Sequence, residues 1–119
     1  MSPQLHLTEE TLDAQTHVVA LRGELDVATV PELDEALRRA IDEGRTAIVV
    51  DLLELTFLDS TGLMVLLNGL RRVMRQDGRL VLACTNPTVL RLLDVTGTSS
   101  TFTIVETREQ AIEAARASV

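Results

Sequence analysis

Two hydrophobic periodicities alternate along this chain, and no other feature restricts its fold as strongly. Val30, Leu33, Ala36, Leu37, Ala40 and Ile41 recur at helical spacing, with Glu32, Asp34, Glu35, Arg38 and Arg39 opposite them. Thr46 to Leu53 then changes to a short β-branched apolar run of the kind that forms a strand covered on both faces. Helical spacing returns at Leu63, Leu66, Leu67, Leu70, Val73 and Met74, and Asp77-Gly78 closes it. Leu80 to Ala83 reads as a buried strand and Phe102 to Val105 as a last one. Between them Asn86-Pro87 caps a short helix carrying Val89, Leu90 and Leu93 and ending at Gly97. Thr107 with Gln110 opens a final helix that packs through Ala111, Ile112 and Ala115.

At the front, Leu5 and Leu7 begin an edge strand, Asp13 to Thr16 a turn, and Thr16 to Leu25 a second strand. Thr29 and Glu32 have capping-box spacing before the first helix, and Gly44 ends it. The order β-β-α-β-α-β-α-β-α predicts an α/β fold. We expect a mixed central sheet of about five strands, the later ones parallel, with about four helices in one domain over residues 1–119. Parallel strands bring their carboxyl ends and the following helix N-termini to one edge, where ligand and partner sites collect. Two loops fall there: Gly23–Thr29 and Thr56–Leu63.

Composition removes whole classes of function. The basic residues are eleven arginines against eighteen acids, a formal charge of −7 that repels nucleic-acid phosphates. With no lysine, a Schiff base, a P-loop lysine and a lysine general base are all excluded. Phe57 and Phe102 are the only aromatics, too few to stack bases. Cys84 is the single cysteine, so neither an internal disulfide nor a thiolate metal cage can form, and it reads as a small buried hydrophobe. No apolar run exceeds five residues, as at Leu63–Leu67, which is far short of a membrane span. The first ten residues do not have the pattern of a secretory signal. These features point to a cytoplasmic protein without membrane insertion, and to a non-enzyme. His6 and His17 have no nucleophile at a recognisable spacing and read as structural or solvated.

Ser60 is the position with most to say. It stands where a loop meets a helical pattern, so we expect it to be the N-cap of the second helix. A phosphate there would face unpaired N–H groups and the positive end of the helix dipole. It would also add about −1.5 to −2 charge beside Asp59, and beside Asp26 if the two loops are neighbours.

The segment Asp51–Leu63, DLLELTFLDSTGL, resembles the signature of the sulfate transporter and anti-sigma factor antagonist (STAS) domain, and more narrowly that of the free-standing bacterial anti-sigma factor antagonists. Gly23–Thr29, GELDVAT, is similar to that family's other diagnostic loop, and the likeness covers essentially the whole chain. The resemblance implies a phosphorylation-controlled binding switch in transcription regulation. Unphosphorylated, such a protein binds an inhibitor that is both anti-sigma factor and serine kinase, and so frees a sigma factor. Phosphorylation of the motif serine, here Ser60 with Thr61 as second choice, releases it, and a serine phosphatase restores it. Carried over by position, Asp26 and Thr29 line the partner-facing loop, while Asp59, Thr61 and Gly62 shape the acceptor turn. ATP and magnesium belong to the kinase, so no cofactor or metal is expected on this chain.

The chain departs from the family pattern at Met64, where many relatives carry a small residue; this long side chain either points into the core or alters how the partner approaches. The segment Thr96–Thr101 is more polar than usual and reads as a solvated turn. Two other readings compete. One keeps the fold as a STAS scaffold subunit of a sensory or transport complex, acting by constitutive protein binding. The other is a phospho-aspartate receiver, which needs clustered carboxylates for Mg²⁺ and a late lysine. Asp51 and Asp59 could attract a cation, but the lysine is missing.

Overall fold

The computed structural model describes residues 4–117. Five strands form one sheet in the order β1-β2-β3-β4-β5. They are β1 (Leu5–Thr11), β2 (Thr16–Leu25), β3 (Ala47–Leu58), β4 (Arg79–Ala83) and β5 (Thr103–Val105). β1 runs antiparallel to β2, and every later pairing is parallel. The helices are α1 (Val30–Asp42), α2 (Ser60–Met74), α3 (Pro87–Val95) and α4 (Arg108–Arg116). The mixed α/β sheet with four helices is the one the periodicities predicted.

The strands advance in one direction across the sheet, so the three crossover helices share one face. There Leu33, Leu37 and Ile41 of α1, Leu66 and Val73 of α2, and Val89 and Leu93 of α3 bury the larger core with Val19, Leu21, Val50, Leu52 and Leu82. Only α4 lies on the other face, where Ala111 and Ala115 cover Val18, Ala47, Val49 and Val81. Small residues suit α4 because its helix must approach the sheet closely.

β3 runs to Leu58, five residues past the expected end at Leu53. The reason is visible in its register. Ala20 pairs with Asp51 but Arg22 with Glu54, and Gly23 pairs with Leu55 but Glu24 with Phe57, so β3 carries two extra residues. These bulges turn the inward positions into Val50, Leu52, Leu55 and Leu58, a spacing that hides strand alternation from a sequence reading.

The ends of α1 and α3 follow the glycine rule. Gly44 has φ 92°, its N–H donates to Ile41 O, and Arg45 N–H donates to Ala40 O, the paired bonds of a Schellman motif. Gly97 does the same after α3, with Thr98 N–H donating to Leu93 O, so Thr96–Thr101 is a hydrogen-bonded helix exit. After α2 the left-handed residue is Asp77, and Gly78 serves close packing instead: a Cβ on it would lie 2.5 Å from Thr46 O. The start of α1 corrects an expectation. Thr29 makes no side-chain cap bond to the helix; its hydroxyl is drawn back into the preceding loop. Asn86 and Thr107 cap α3 and α4 as predicted, accepting from Thr88 N–H and Gln110 N–H.

His17 is buried and structural. It contacts Glu9 Oε1 at 2.8 Å and Thr11 Oγ1 at 2.9 Å, and Arg39 of α1 closes on Glu9 at 3.1 Å. Cys84 is buried just past β4, and burial pushes its thiol pKa up.

Candidate functional site

The parallel register sets the carboxyl ends of β2 and β3 side by side, with Leu25 opposite Leu58. The loops that follow are therefore neighbours. Asp59 N–H donates to Leu25 O at 3.2 Å, and Val27 N–H reaches toward the Asp59 carboxylate. The segments Asp26–Thr29 and Asp59–Gly62, far apart in sequence, form one surface.

Each loop is held by an aspartate and a threonine. Asp26 Oδ1 accepts from Ala28 N–H at 3.0 Å and from Thr29 N–H at 3.2 Å. Thr29 Oγ1 accepts from Asp26 N–H at 2.9 Å and donates to Glu24 O at 3.0 Å. This internal use of the hydroxyl is why Thr29 does not cap α1. In the second loop Asp59, not Ser60, is the N-cap of α2. Its extended backbone (φ −106°, ψ −177°) aims Oδ1 at Gly62 N–H, 3.0 Å away. Thr61 Oγ1 donates to the same oxygen at 2.6 Å. A carboxylate three residues before its N–H target outcompetes the neighbouring hydroxyl, which corrects the expected cap.

The correction changes what Ser60 can do. It is the first residue of α2, exposed, and its hydroxyl forms no hydrogen bond among the described residues. The helix N-terminus is already occupied by an anion, the Asp59 carboxylate. A phosphate on Ser60 would not replace a cap; it would stand beside one. Thr61 differs sharply from its neighbour, being half-buried with its hydroxyl committed to Asp59. Gly62 is buried beneath the turn, and a Cβ there would come within 2.6 Å of Leu58 Cδ1 and 2.9 Å of Leu25 Cγ. Its role in the turn is close packing with β2 and β3.

The electrostatics are one-sided. Burial by itself would raise the Asp59 pKa, but the Thr61 hydroxyl and the N–H groups of Gly62, Thr61 and Val27 outweigh it and hold the carboxyl below its ordinary value. No arginine lies between Gly23 and Leu37 or between Thr46 and Leu70, and neither Asp26 nor Asp59 has an ion-pair partner among the described residues.

Three exposed apolar side chains lie in or next to these two loops: Val27 in the first, Phe57 just before the second and Met64 in the first turns of α2. Val27 is 70% exposed, Met64 50% and Phe57 43%, so water meets large hydrophobic groups at this edge. Met64 lies one turn beyond Ser60 on α2, and its exposure settles that it does not enter the core. Val27 and Phe57 were missed as site residues by sequence reasoning. The available signal was Val27, an apolar residue inside a polar loop; Phe57 was hidden by the bulge in β3.

Asp51 is not beside Asp59. It is buried under α4, where Arg108 Nε donates to it at 2.8 Å and it accepts from Leu53 N–H at 2.9 Å. Among the described residues no group of three or more His, Cys, Asp or Glu is placed to hold a metal ion, and no helix is long and apolar enough to cross a membrane.

Comparison with known proteins agrees with this geometry. Residues 8–111 match the model of the STAS domain. An anti-sigma-B factor antagonist of Staphylococcus aureus is 35% identical over 89 residues, 75% of this chain and 82% of that protein. The crystal structure of an anti-sigma factor antagonist from Mycobacterium paratuberculosis superposes with a TM-score of 0.87 at 28% identity, covering 98% of each chain. SpoIIAA, an anti-sigma factor antagonist and Bacillus cell fate determinant, is similar in two states. Its unphosphorylated form gives a TM-score of 0.82 at 29% identity over 96% of this chain and 99% of that one. Its phosphorylated form gives 0.74 at 28% over 93% and 100%.

Proposed function

This chain belongs to the STAS domain family, and from that premise we propose that it is an anti-sigma factor antagonist whose binding is switched by phosphorylation of Ser60. In its unmodified state it binds an anti-sigma factor that is also a serine kinase, and a sigma factor is freed for transcription. The kinase holds ATP and magnesium and transfers the γ-phosphoryl group to Ser60 Oγ; the hydroxyl proton is lost and ADP leaves. A serine phosphatase reverses the step. The chain itself acts in the cytoplasm as a binding partner and catalyses nothing.

One observation carries the reading: Ser60 presents an exposed, unbonded hydroxyl at the first position of α2, while its neighbours Asp59, Thr61 and Gly62 hold the turn. Such a hydroxyl can enter a kinase without unwinding the helix. Thr61 could not do so without giving up its bond to Asp59. Around Ser60, Val27, Phe57 and Met64 supply apolar contact area, and the Asp26–Thr29 loop supplies polar rim. A phosphate adds about −1.5 to −2 charge to an edge that already carries Asp26 and Asp59 without arginine partners. Repulsion and desolvation of that charge at a packed contact would weaken binding by ~3–4 kcal/mol, several hundredfold.

The test is intact-mass measurement of the protein from its native cells with peptide mapping across Leu58–Arg71, together with binding of Ser60→Ala and Ser60→Asp to the kinase-type partner. We expect phosphate on Ser60, retained binding by Ser60→Ala and weak binding by Ser60→Asp. Equal tight binding by both variants would refute a charge switch here. Phosphate on Thr61 would move the switch by one residue. Absence of phosphate under every growth condition would turn the reading toward a constitutive binding module, such as a scaffold subunit of a sensory or transport complex.

A further inference from the structure

The two edges of the sheet are built differently. β5 ends it with three residues, too short to template another strand. β1 ends it with seven residues, Leu5–Thr11, paired to β2 in unbroken register and free of proline, lysine and bulges. Of the devices that normally blunt an edge it keeps only charge, at Glu9 and Glu10.

The register says which backbone groups of β1 have no partner among the described residues. Glu24 N–H donates to Gln4 O, and Leu12 N–H donates to Thr16 O. The bonded pairs of the antiparallel ladder are therefore the even-numbered residues of β1, including His6–Arg22, Thr8–Ala20 and Glu10–Val18. The N–H and C=O groups of Leu5, Leu7, Glu9 and Thr11 point away from the sheet.

We infer that β1 is a self-pairing edge through which two copies of this chain join antiparallel about a two-fold axis at Thr8. The inference stands apart from the switch at Ser60. Centring on Thr8 is the register in which the whole of Leu5–Thr11 overlaps with its copy. Leu7 then meets Glu9, and Leu5 meets Thr11, in bonded pairs, giving about eight new backbone bonds across the axis. Thr8 faces Thr8 in a non-bonded pair, and His6 of each copy faces Glu10 of the other.

Charge complementarity chooses the second copy as the occupant. On the α4 face β1 reads His6-Thr8-Glu10, with the cation Arg22 across the ladder from His6 at one end and, at the other, Glu10, an exposed acid that Arg108 of α4 approaches only to 3.6 Å. Antiparallel pairing about Thr8 sets the His6–Arg22 end of each copy against Glu10 of its mate, which is the favourable cross-strand arrangement. On the opposite face the remaining acid, Glu9, is already engaged by His17 and Arg39, so it brings no uncompensated charge to the seam. The result is one continuous ten-stranded sheet, with both Ser60 edges outside the seam because β1 and β3 are separated by β2.

Thr8→Cys tests the axis directly. A non-bonded antiparallel pair holds its Cα atoms about 4.5 Å apart, within disulfide range, and Cys84 is the only native cysteine and is buried. With copper–phenanthroline as oxidant we expect Thr8→Cys to form a covalent dimer at least about tenfold faster than Asn68→Cys, an exposed site on α2. Sedimentation of the wild-type chain should show a concentration-dependent mass rising above the 13.0 kDa monomer. Thr8→Lys, which sets two cations face to face without touching the core, should return it to monomer. His6→Glu should do the same, and His6→Glu with Glu10→Arg should restore the dimer. Monomeric wild-type protein at several hundred micromolar, or cross-linking of Thr8→Cys no faster than of Asn68→Cys, would overturn the inference.

Discussion

The two ends of the sheet each carry an aspartate turn, and the contrast between them bears on where the proposed switch would act. At the amino end, Asp13 Oδ1 accepts from the N–H groups of Gln15 at 2.9 Å and Thr16 at 2.8 Å, and Oδ2 accepts from Arg116 at 2.9 Å. Arg45 then ties the same turn through Ala14 O at 2.8 Å. At the carboxyl end, Asp59 is held by one hydroxyl and by N–H groups, with no ion-pair partner among the described residues. The first turn is neutralised and closed. The second is equally ordered but remains electrically open, with the Ser60 hydroxyl left over. A site that must answer to added negative charge belongs at the open end.

The largest test of this contrast uses the glycine beneath each end. At Gly78 a new Cβ meets the backbone oxygen of Thr46 at 2.5 Å and Val73 Cγ2 at 2.5 Å, and a backbone atom cannot swing aside. At Gly62 the nearest obstacle is Leu58 Cδ1, the far end of a flexible side chain, at 2.6 Å. Gly78→Val should cost about 3 kcal/mol or more and Gly62→Val about 2 kcal/mol, read from urea unfolding. Only the Gly62 variant should also lose partner binding. If Gly78→Val abolished binding while remaining folded, the partner surface would not be confined to the carboxyl end.

Next in size are the aspartates themselves. Asp59→Ala removes a true helix cap and should cost about 1–2 kcal/mol. Asp13→Ala should cost less, because its turn keeps the backbone bonds of Leu12 N–H and Asp13 N–H to Thr16 O. Acid separates the two as well. Both carboxyls are held below their ordinary value, Asp13 at about 2 by the Gln15 and Thr16 hydrogen bonds with help from Arg116. A lowered folded-state pKa gives stability that is complete above about pH 4 and drains as pH falls through the folded value. For Asp13 that window runs from about 4 down to about 2. Adding salt at neutral pH should weaken the Asp13–Arg116 contribution more than that of Asp59, which rests on short hydrogen bonds and the helix dipole and not on an ion pair. A thermal-melt series of the two alanine variants against salt reads this out.

How much of this was legible in the sequence follows the same physics. Elements defined by a repeating pattern were readable: the stripe of α1, the β-branched start of β3, and the Asn86 and Thr107 caps all reappear in the structure. What was not readable depended on competition between neighbours or on insertion into the pattern. Ser60 and Asp59 are both good capping residues, and only the backbone angle at Asp59 decides between them. Thr29 and Glu32 have the right spacing for a capping box, yet Asp26 N–H and Glu24 O lie closer to the Thr29 hydroxyl. The second half of β3 escaped because two bulges replaced its alternation with steps of three. The Asp26 and Asp59 loops could be suspected of meeting, but only the parallel pairing of Leu25 with Leu58 brings them together.

The smallest expected change in stability is also the sharpest test. Had Ser60 been the cap of α2, replacing it with alanine would remove a bond worth about 1 kcal/mol. With Asp59 as the cap, Ser60→Ala deletes an exposed hydroxyl that bonds to nothing among the described residues. The unfolding free energy should therefore stay within about 0.5 kcal/mol of the parent, while phosphate incorporation disappears. A loss of 1 kcal/mol or more would mean that the serine hydroxyl helps to hold the turn after all. The division between an Asp59 that builds the site and a Ser60 that is left free to be modified would then fail.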